Sequence, residues 1–246
     1  MRRIIVMLSA AVLVACGSQA KSSEDAGEPP AAVSGPKSPT PAAAAPELAG
    51  CPARAPLDEG LRQRSTAVPV PPVLRETMRS DMDNFAFSTL AGATVCVDAS
   101  WMESIRDPAL SPDQRFASFA WDGYESYGHV IVDRSGRGQV IDTGEPPVAS
   151  PSGKLLAAAD LSESGFGALN AFAIWRIEPA GIRPLTSVEE VPQATDWRID
   201  GWAGETCVDL SAVAWENSGE ARAPRGAFRA REANGWRFEP GRCGGT

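Results

Sequence analysis

The feature that most constrains this chain is a repeat. Ser111-Pro112-Asp113-Gln114-Arg115-Phe116-Ala117-Ser118 is echoed thirty-nine residues later by Ser150-Pro151-Ser152-Gly153-Lys154-Leu155-Leu156-Ala157. Each copy opens on turn-forming residues and runs into an apolar stretch of strand character. Hairpin patterns occupy His129 to Ile141 around Ser135-Gly136, Phe172 to Leu185 around Pro179-Ala180-Gly181, and Ala227 to Phe238 around Asn234-Gly235. The last of these is the pair that most favours a two-residue hairpin turn. A period near forty residues, built from strands, is the signature of propeller blades, each of which must stack on a neighbour to bury its apolar face. The chain is therefore expected to be mainly β: a small or incomplete propeller-like stack of antiparallel sheets, with an irregular β-sandwich as the alternative.

These repeats resemble those of the bacterial periplasmic protein TolB and its relatives. The family pattern is a Ser-Pro-Asp-Gly turn, two short strands, an Asp-x-x-Gly turn and a closing strand. Asp133-Arg134-Ser135-Gly136 and the following Gln139-Val140-Ile141-Asp142-Thr143 fit it, and the resemblance covers about residues 110 to 190. Gln114 replaces the turn glycine, and the third hairpin lacks the Ser-Pro opening. Between Thr94 and Cys243 there is room for three or four blades, fewer than the six or seven the resemblance implies.

Arg2 and Arg3 precede an apolar run from Ile4 to Ala15 that is too short to span a bilayer and has the form of a signal-peptide core. It ends Leu13-Val14-Ala15-Cys16-Gly17, which resembles the lipobox of bacterial lipoproteins. That resemblance implies cleavage after residue 15 and acylation of Cys16. The competing reading is an ordinary secretory signal that happens to contain a cysteine. Two or more acyl chains would make the anchor stable. Gly17 after the cysteine implies, by the same resemblance, the periplasmic face of the outer membrane. Loss of Arg2 and Arg3 takes the formal charge from −8 to −10.

Residues 16 to 50 are rich in Pro, Ala, Ser and Gly and read as a disordered tether. Its root-mean-square reach is on the order of 30 Å. All seventeen aromatic residues lie at or after Phe85, so residues 51 to 246 read as one folded domain. Pro71 and Pro72 lead into Val73, Leu74, Met78, Met82 and Phe85, whose spacing predicts one short N-terminal helix over about residues 72 to 84. Apart from Cys16, four cysteines remain for an oxidising compartment. Of the three possible pairings, Cys51–Cys96 and Cys207–Cys243 are favoured, since they pin the segment before the sheets and the C-terminal tail. Zinc is disfavoured because no two of these cysteines have the close spacing of metal ligands.

No nucleophile elbow, metalloprotease motif, phosphate loop or calcium loop is present in the sequence, and the single histidine, His129, lies in a strand pattern. No catalytic residue, metal or cofactor is assigned on these grounds. The acidic balance argues against nucleic acid, which is held through clustered Lys and Arg. The most informative loop is Trp121-Asp122-Gly123-Tyr124-Glu125-Ser126-Tyr127-Gly128, which holds both tyrosines. Tyrosine buries large area while few rotors freeze. With Glu163 and Phe166 from the loop Asp160 to Asn170 of the next repeat, residues Asp122, Tyr124, Glu125 and Tyr127 are expected to form an acidic, aromatic docking edge. The other reading folds these tyrosines back over the core. Trp175, Trp197, Trp202, Trp215 and Trp236 are expected inside strands as core residues. The chain thus reads as a monomeric, non-catalytic envelope lipoprotein that binds a protein, most concretely a basic periplasmic toxin or cell-wall hydrolase that it inhibits. An accessory scaffold of envelope assembly ranks second and a carboxylate-based hydrolase third.

Overall fold

In a computed structural model of the chain, the described residues are 45–53, 66–124, 126–160, 169, 172–186, 194–220 and 222–244. Fifteen strands among them form four antiparallel sheets, and every sheet is a meander of consecutive strands. Sheet I holds β1 (Met78–Ser80), β2 (Asn84–Ser88) and β3 (Thr94–Asp98). Sheet II holds β4 (Ser104–Leu110), β5 (Phe116–Gly123), β6 (Ser126–Asp133) and β7 (Gln139–Asp142). Sheet III holds β8 (Val148–Ala149), β9 (Leu155–Ala159), β10 (Phe172–Glu178) and β11 (Gly181–Pro184). Sheet IV holds β12 (Ala194–Trp202), β13 (Cys207–Ala214), β14 (Arg225–Glu232) and β15 (Trp236–Pro240). The mainly β expectation holds, and the hairpins lie where the turn residues place them: β6–β7, β10–β11 and β14–β15.

The Ser-Pro echo is a true structural repeat. In both copies it joins the first strand of a sheet to the second. Ser111 N and Ser150 N donate to the carbonyls of Phe116 and Leu155, and the serine hydroxyls accept the amides of those same residues at 2.8 and 3.2 Å. Gln114 adopts φ 59°, the left-handed region that Gly153 occupies at φ 68° in the other copy. The missing glycine is therefore absorbed as local backbone strain rather than as a different turn.

Three apolar clusters join the sheets in series. Sheets I and II share Met78, Phe85, Phe87, Phe119, Val130 and Val132. The Phe85 ring meets Phe119 edge-on at 5.7 Å, and Phe87 stacks on the same ring at 6.2 Å. Sheets II and III meet through Ile141, Ala158, Trp175 and Ile182. Sheets III and IV bury Phe172, Ile174, Trp197, Val208 and Leu210 together. None of these clusters joins sheet IV back to sheet I.

Polar clasps reinforce each junction. Arg134 is 1% exposed, and its guanidinium donates to the Ser88 carbonyl and the Gln114 carbonyl, both at 2.6 Å. Arg115 grips the buried Asp133 with two bonds of 2.8 and 2.9 Å and also donates to the Glu178 carbonyl of sheet III. Glu205 of the β12–β13 turn accepts both the amide and the hydroxyl of Ser152, at 2.7 and 2.8 Å. All three clasps lie at the same end of the sheets. Hairpin β5–β6, the segment after β7, the end of β9 and the start of β12 lie at the other end, which forms a loop rim.

The two disulfides are Cys51–Cys96 and Cys207–Cys243, the favoured pairing. The first fixes a strap over the outer face of sheet I. Pro46 is buried, Glu47 N donates to Thr94 Oγ1, and Asn84 Nδ2 donates to the Pro52 carbonyl. Packed structure thus begins inside the stretch read as tether, with a 3-10 turn at Leu48–Gly50.

The helix expected over residues 72 to 84 is instead a single 3-10 turn at Pro72–Leu74 followed by hairpin β1–β2. Asp81 Oδ1 accepts the amides of Asp83 and Asn84 at 2.8 and 2.7 Å, which makes a local turn that competes with helix. Met78 and Phe85 are wholly buried as strand residues, while Val73 and Met82 of the supposed stripe are exposed. Of the five tryptophans expected in strands, Trp215 departs, lying exposed in a 3-10 turn after β13.

Arg134→Leu is expected to lower unfolding stability by about 3 kcal/mol, because it takes the guanidinium donor from the buried Ser88 carbonyl and breaks the bond to the Gln114 carbonyl. Urea denaturation checks this, with an unchanged m-value expected.

Candidate functional site

The loop singled out in the sequence is the β5–β6 hairpin at the loop rim. Register sets Asp122 opposite Tyr127 and Gly123 opposite Ser126. Tyr124 is 80% exposed and Tyr127 is 56% exposed, so neither folds back over the core. A third aromatic joins them that the sequence reading missed. Trp101, 60% exposed, lies in the β3–β4 connection, and its carbonyl packs against Gly123. A Cβ on Gly123 would fall 2.1 Å from that oxygen, so only glycine lets the two segments close. Gly128 is needed for a parallel reason, since a Cβ there would meet the Trp121 ring at 2.7–2.9 Å. The flanking glycines are thus what draws three large aromatic side chains to one end of sheet II.

The acidic half of the expected edge is different. Asp122 is held by Arg106 through bonds of 2.6 and 2.8 Å and also accepts from Ser104 Oγ. The Arg106 guanidinium, hydrogen-bonded to it across the β4–β5 pair, holds the Asp122 carboxyl below its ordinary range. Its charge is countered by an exposed ion pair, so the surface here combines that pair with the aromatic side chains. Glu125, Glu163 and Phe166 lie outside the described residues, as does Cys16. Asp160, at the base of the neighbouring loop, is buried and accepts the Leu169 amide at 2.9 Å. No helix among the described residues is long and apolar enough to cross a membrane.

His129 lies on β6 as its pattern implied, and it is buried. Thr143 Oγ1 donates to the His129 carbonyl and lies 3.0 Å from Nδ1. Burial pushes the imidazole down to about 4, against the opposing charge of Asp107.

The folded state therefore prefers neutral His129. Its contribution is complete above the unfolded value near 6.5 and is lost as pH falls from there through about 4. The full shift corresponds to at most about 3 kcal/mol. Glu145, raised by burial and by Asp160 beside it, acts in the opposite direction. The difference between the wild type and His129→Gln isolates the histidine. Thermal melts from pH 7 to 4 are expected to show a steeper loss of stability in the wild type.

No protein-family model matches the chain, and no curated protein matches it.

Proposed function

We propose that this chain is a non-catalytic envelope lipoprotein, anchored through Cys16, whose β domain captures a basic protein at the loop rim of sheet II. The observation that carries the reading is the exposed trio Trp101, Tyr124 and Tyr127, two on the β5–β6 hairpin and one on the β3–β4 connection that closes on it at Gly123. Aromatic side chains held rigidly at a surface contribute most to protein interfaces, because they bury large area with little further loss of freedom. Charge supports a basic partner. Residues 75 to 145, which build sheets I and II, carry twelve acidic and six basic side chains. A field of that sign accelerates encounter with a cationic protein. The most concrete version is an inhibitor or immunity lipoprotein that blocks a basic toxin or cell-wall hydrolase in the periplasm. A second reading, an accessory scaffold of envelope assembly, draws on the resemblance of the Ser-Pro and Asp-x-x-Gly repeats to those of the TolB family.

The test compares the full chain in detergent with a Trp101→Ala, Tyr124→Ala, Tyr127→Ala triple variant, by crosslinking in envelope extracts and by inhibition of basic cell-wall hydrolases. Capture and inhibition are expected to weaken at least tenfold, on the order of 1–4 kcal/mol, with an unchanged melting temperature. An identical captured set for both proteins would refute the surface. Retained capture without inhibition of any hydrolase would favour the scaffold. Mass spectrometry of the mature N-terminus is expected to find a diacylglyceryl group on Cys16, and an unmodified terminus would remove the anchor.

A further inference from the structure

A cavity of about 250 Å³ opens on the loop rim where sheets II, III and IV converge, and none of the aromatic trio lines it. Its walls are mainly apolar: Val148 of β8, Ala159 of β9, Trp197 and Ile199 of β12, with Pro146 from the connection after β7. Two charged residues, Glu145 and Arg198, complete the lining. Strand β12 is bulged at this point. Its register shifts between Thr195 and Arg198, and Asp196 adopts φ 51°, a conformation that L-residues rarely take. Bulges of this kind re-aim side chains and collect beside binding sites.

The two charged residues differ in what is left to them. Arg198 donates to both carboxylate oxygens of Asp196 at 3.1 Å. Arg106, the other cation near Glu145, is committed to Asp122. No described residue hydrogen-bonds the Glu145 carboxylate, although it is partly buried and lies beside Asp160 and Asp196 as well as the two arginines. Burial and Asp160 together raise its carboxyl above the ordinary range. An arriving cation would relieve both effects.

We propose that this cavity binds a small organic ammonium ion, one ring or short aliphatic body carrying a single protonated amine, with the amine on Glu145 and the body against Val148, Ala159 and Ile199. Size agrees with this. An aliphatic cavity of about 150 Å³ accommodates benzene, so 250 Å³ holds a ring with a short charged arm. The chemistry is selective in one direction. A neutral isostere fills the same walls but gains no ion pair with Glu145, while Arg198, the one cation in the lining, is bonded to Asp196.

The test is ligand-observed NMR and calorimetry on the full chain in detergent, with benzylammonium as the probe and benzyl alcohol as its neutral isostere. Benzylammonium is expected to bind saturably with Kd of about 1 mM, a usual strength for a fragment of this size. Benzyl alcohol is expected to bind at least tenfold more weakly. Glu145→Gln, which keeps the shape of the side chain, should lower benzylammonium affinity at least tenfold and leave benzyl alcohol unaffected. Val148→Phe, which fills the cavity from its open side, should abolish both. Tyr124→Ala should change neither, which separates this site from the aromatic surface. Equal affinity for the two probes, undiminished binding to Glu145→Gln, or no saturable binding of benzylammonium would overturn the proposal.

Discussion

A stack of sheets that is not joined head to tail leaves two outer faces, and everything else in this molecule depends on how those faces are made compatible with water. Sheet IV solves the problem with charge. Register places Cys207, Asp209, Ser211 and Val213 on one face with Arg225, Arg229, Arg231, Arg237 and Glu239. Arg225 bonds Asp196 and Ser211, Arg229 bonds Glu239, and Arg242 bonds Asp200. That face is dominated by charged side chains rather than by an apolar surface that a further sheet could cover. Sheet I has no such array. The far face of its central strand carries Ala86 and Ser88, both buried, and it is covered by the strap of residues 45–53.

The disulfides fall at these two ends for the same reason. An interior sheet is held from both sides by its neighbours, but a terminal one loses half of that support. Cys51–Cys96 keeps the strap on sheet I, and Cys207–Cys243 ties the tail to sheet IV, where Cys243 N also donates to Asp209. By the loop lengths they close, each contributes about 2–4 kcal/mol. Between the ends, the buried Arg134 and the Arg115–Asp133 pair work at the clasp end, where both guanidinium groups bond acceptors on a neighbouring strand or turn. Fixing one end leaves the opposite rim free to carry exposed aromatics, the bulged β12 and the Glu145 cavity. Rigidity and binding are thus divided between the two ends of the same strands.

Much of this was legible in the chain, and the reason is local. Ser111-Pro112 and Ser150-Pro151 encode a turn whose hydrogen bonds close within five residues, and Asn234-Gly235 encodes a hairpin in two. The spacing of the cysteines made one pairing preferable because each bond ties a terminal segment to a nearby strand. The helix over 72 to 84 failed because an i, i+4 stripe does not distinguish a helix from two short strands whose turn, here at Asp81, happens to be as long as the step. Asp133-Arg134 was recognised as turn residues, yet its larger role as a clasp needed Ser88 and Gln114, 46 and 20 residues away in sequence. Trp101 was missed in the same way. Its neighbour in space, Gly123, is a neighbour only after β4 and β5 have paired.

By itself, then, the sequence determined the strand content, the hairpins and the number of sheets to within one, since turn chemistry and period-two patterning act over a few residues, and it favoured one of three cysteine pairings. Only the tertiary structure decided which aromatic residues share a surface, that Asp122 is neutralised by Arg106, and that Glu145 is left facing an apolar cavity. Those outcomes depend on which sheets stack against each other and on which arginine then lies within reach of which carboxylate. Such choices are made by long-range packing, where any of several oppositely charged residues would satisfy the local pattern equally well.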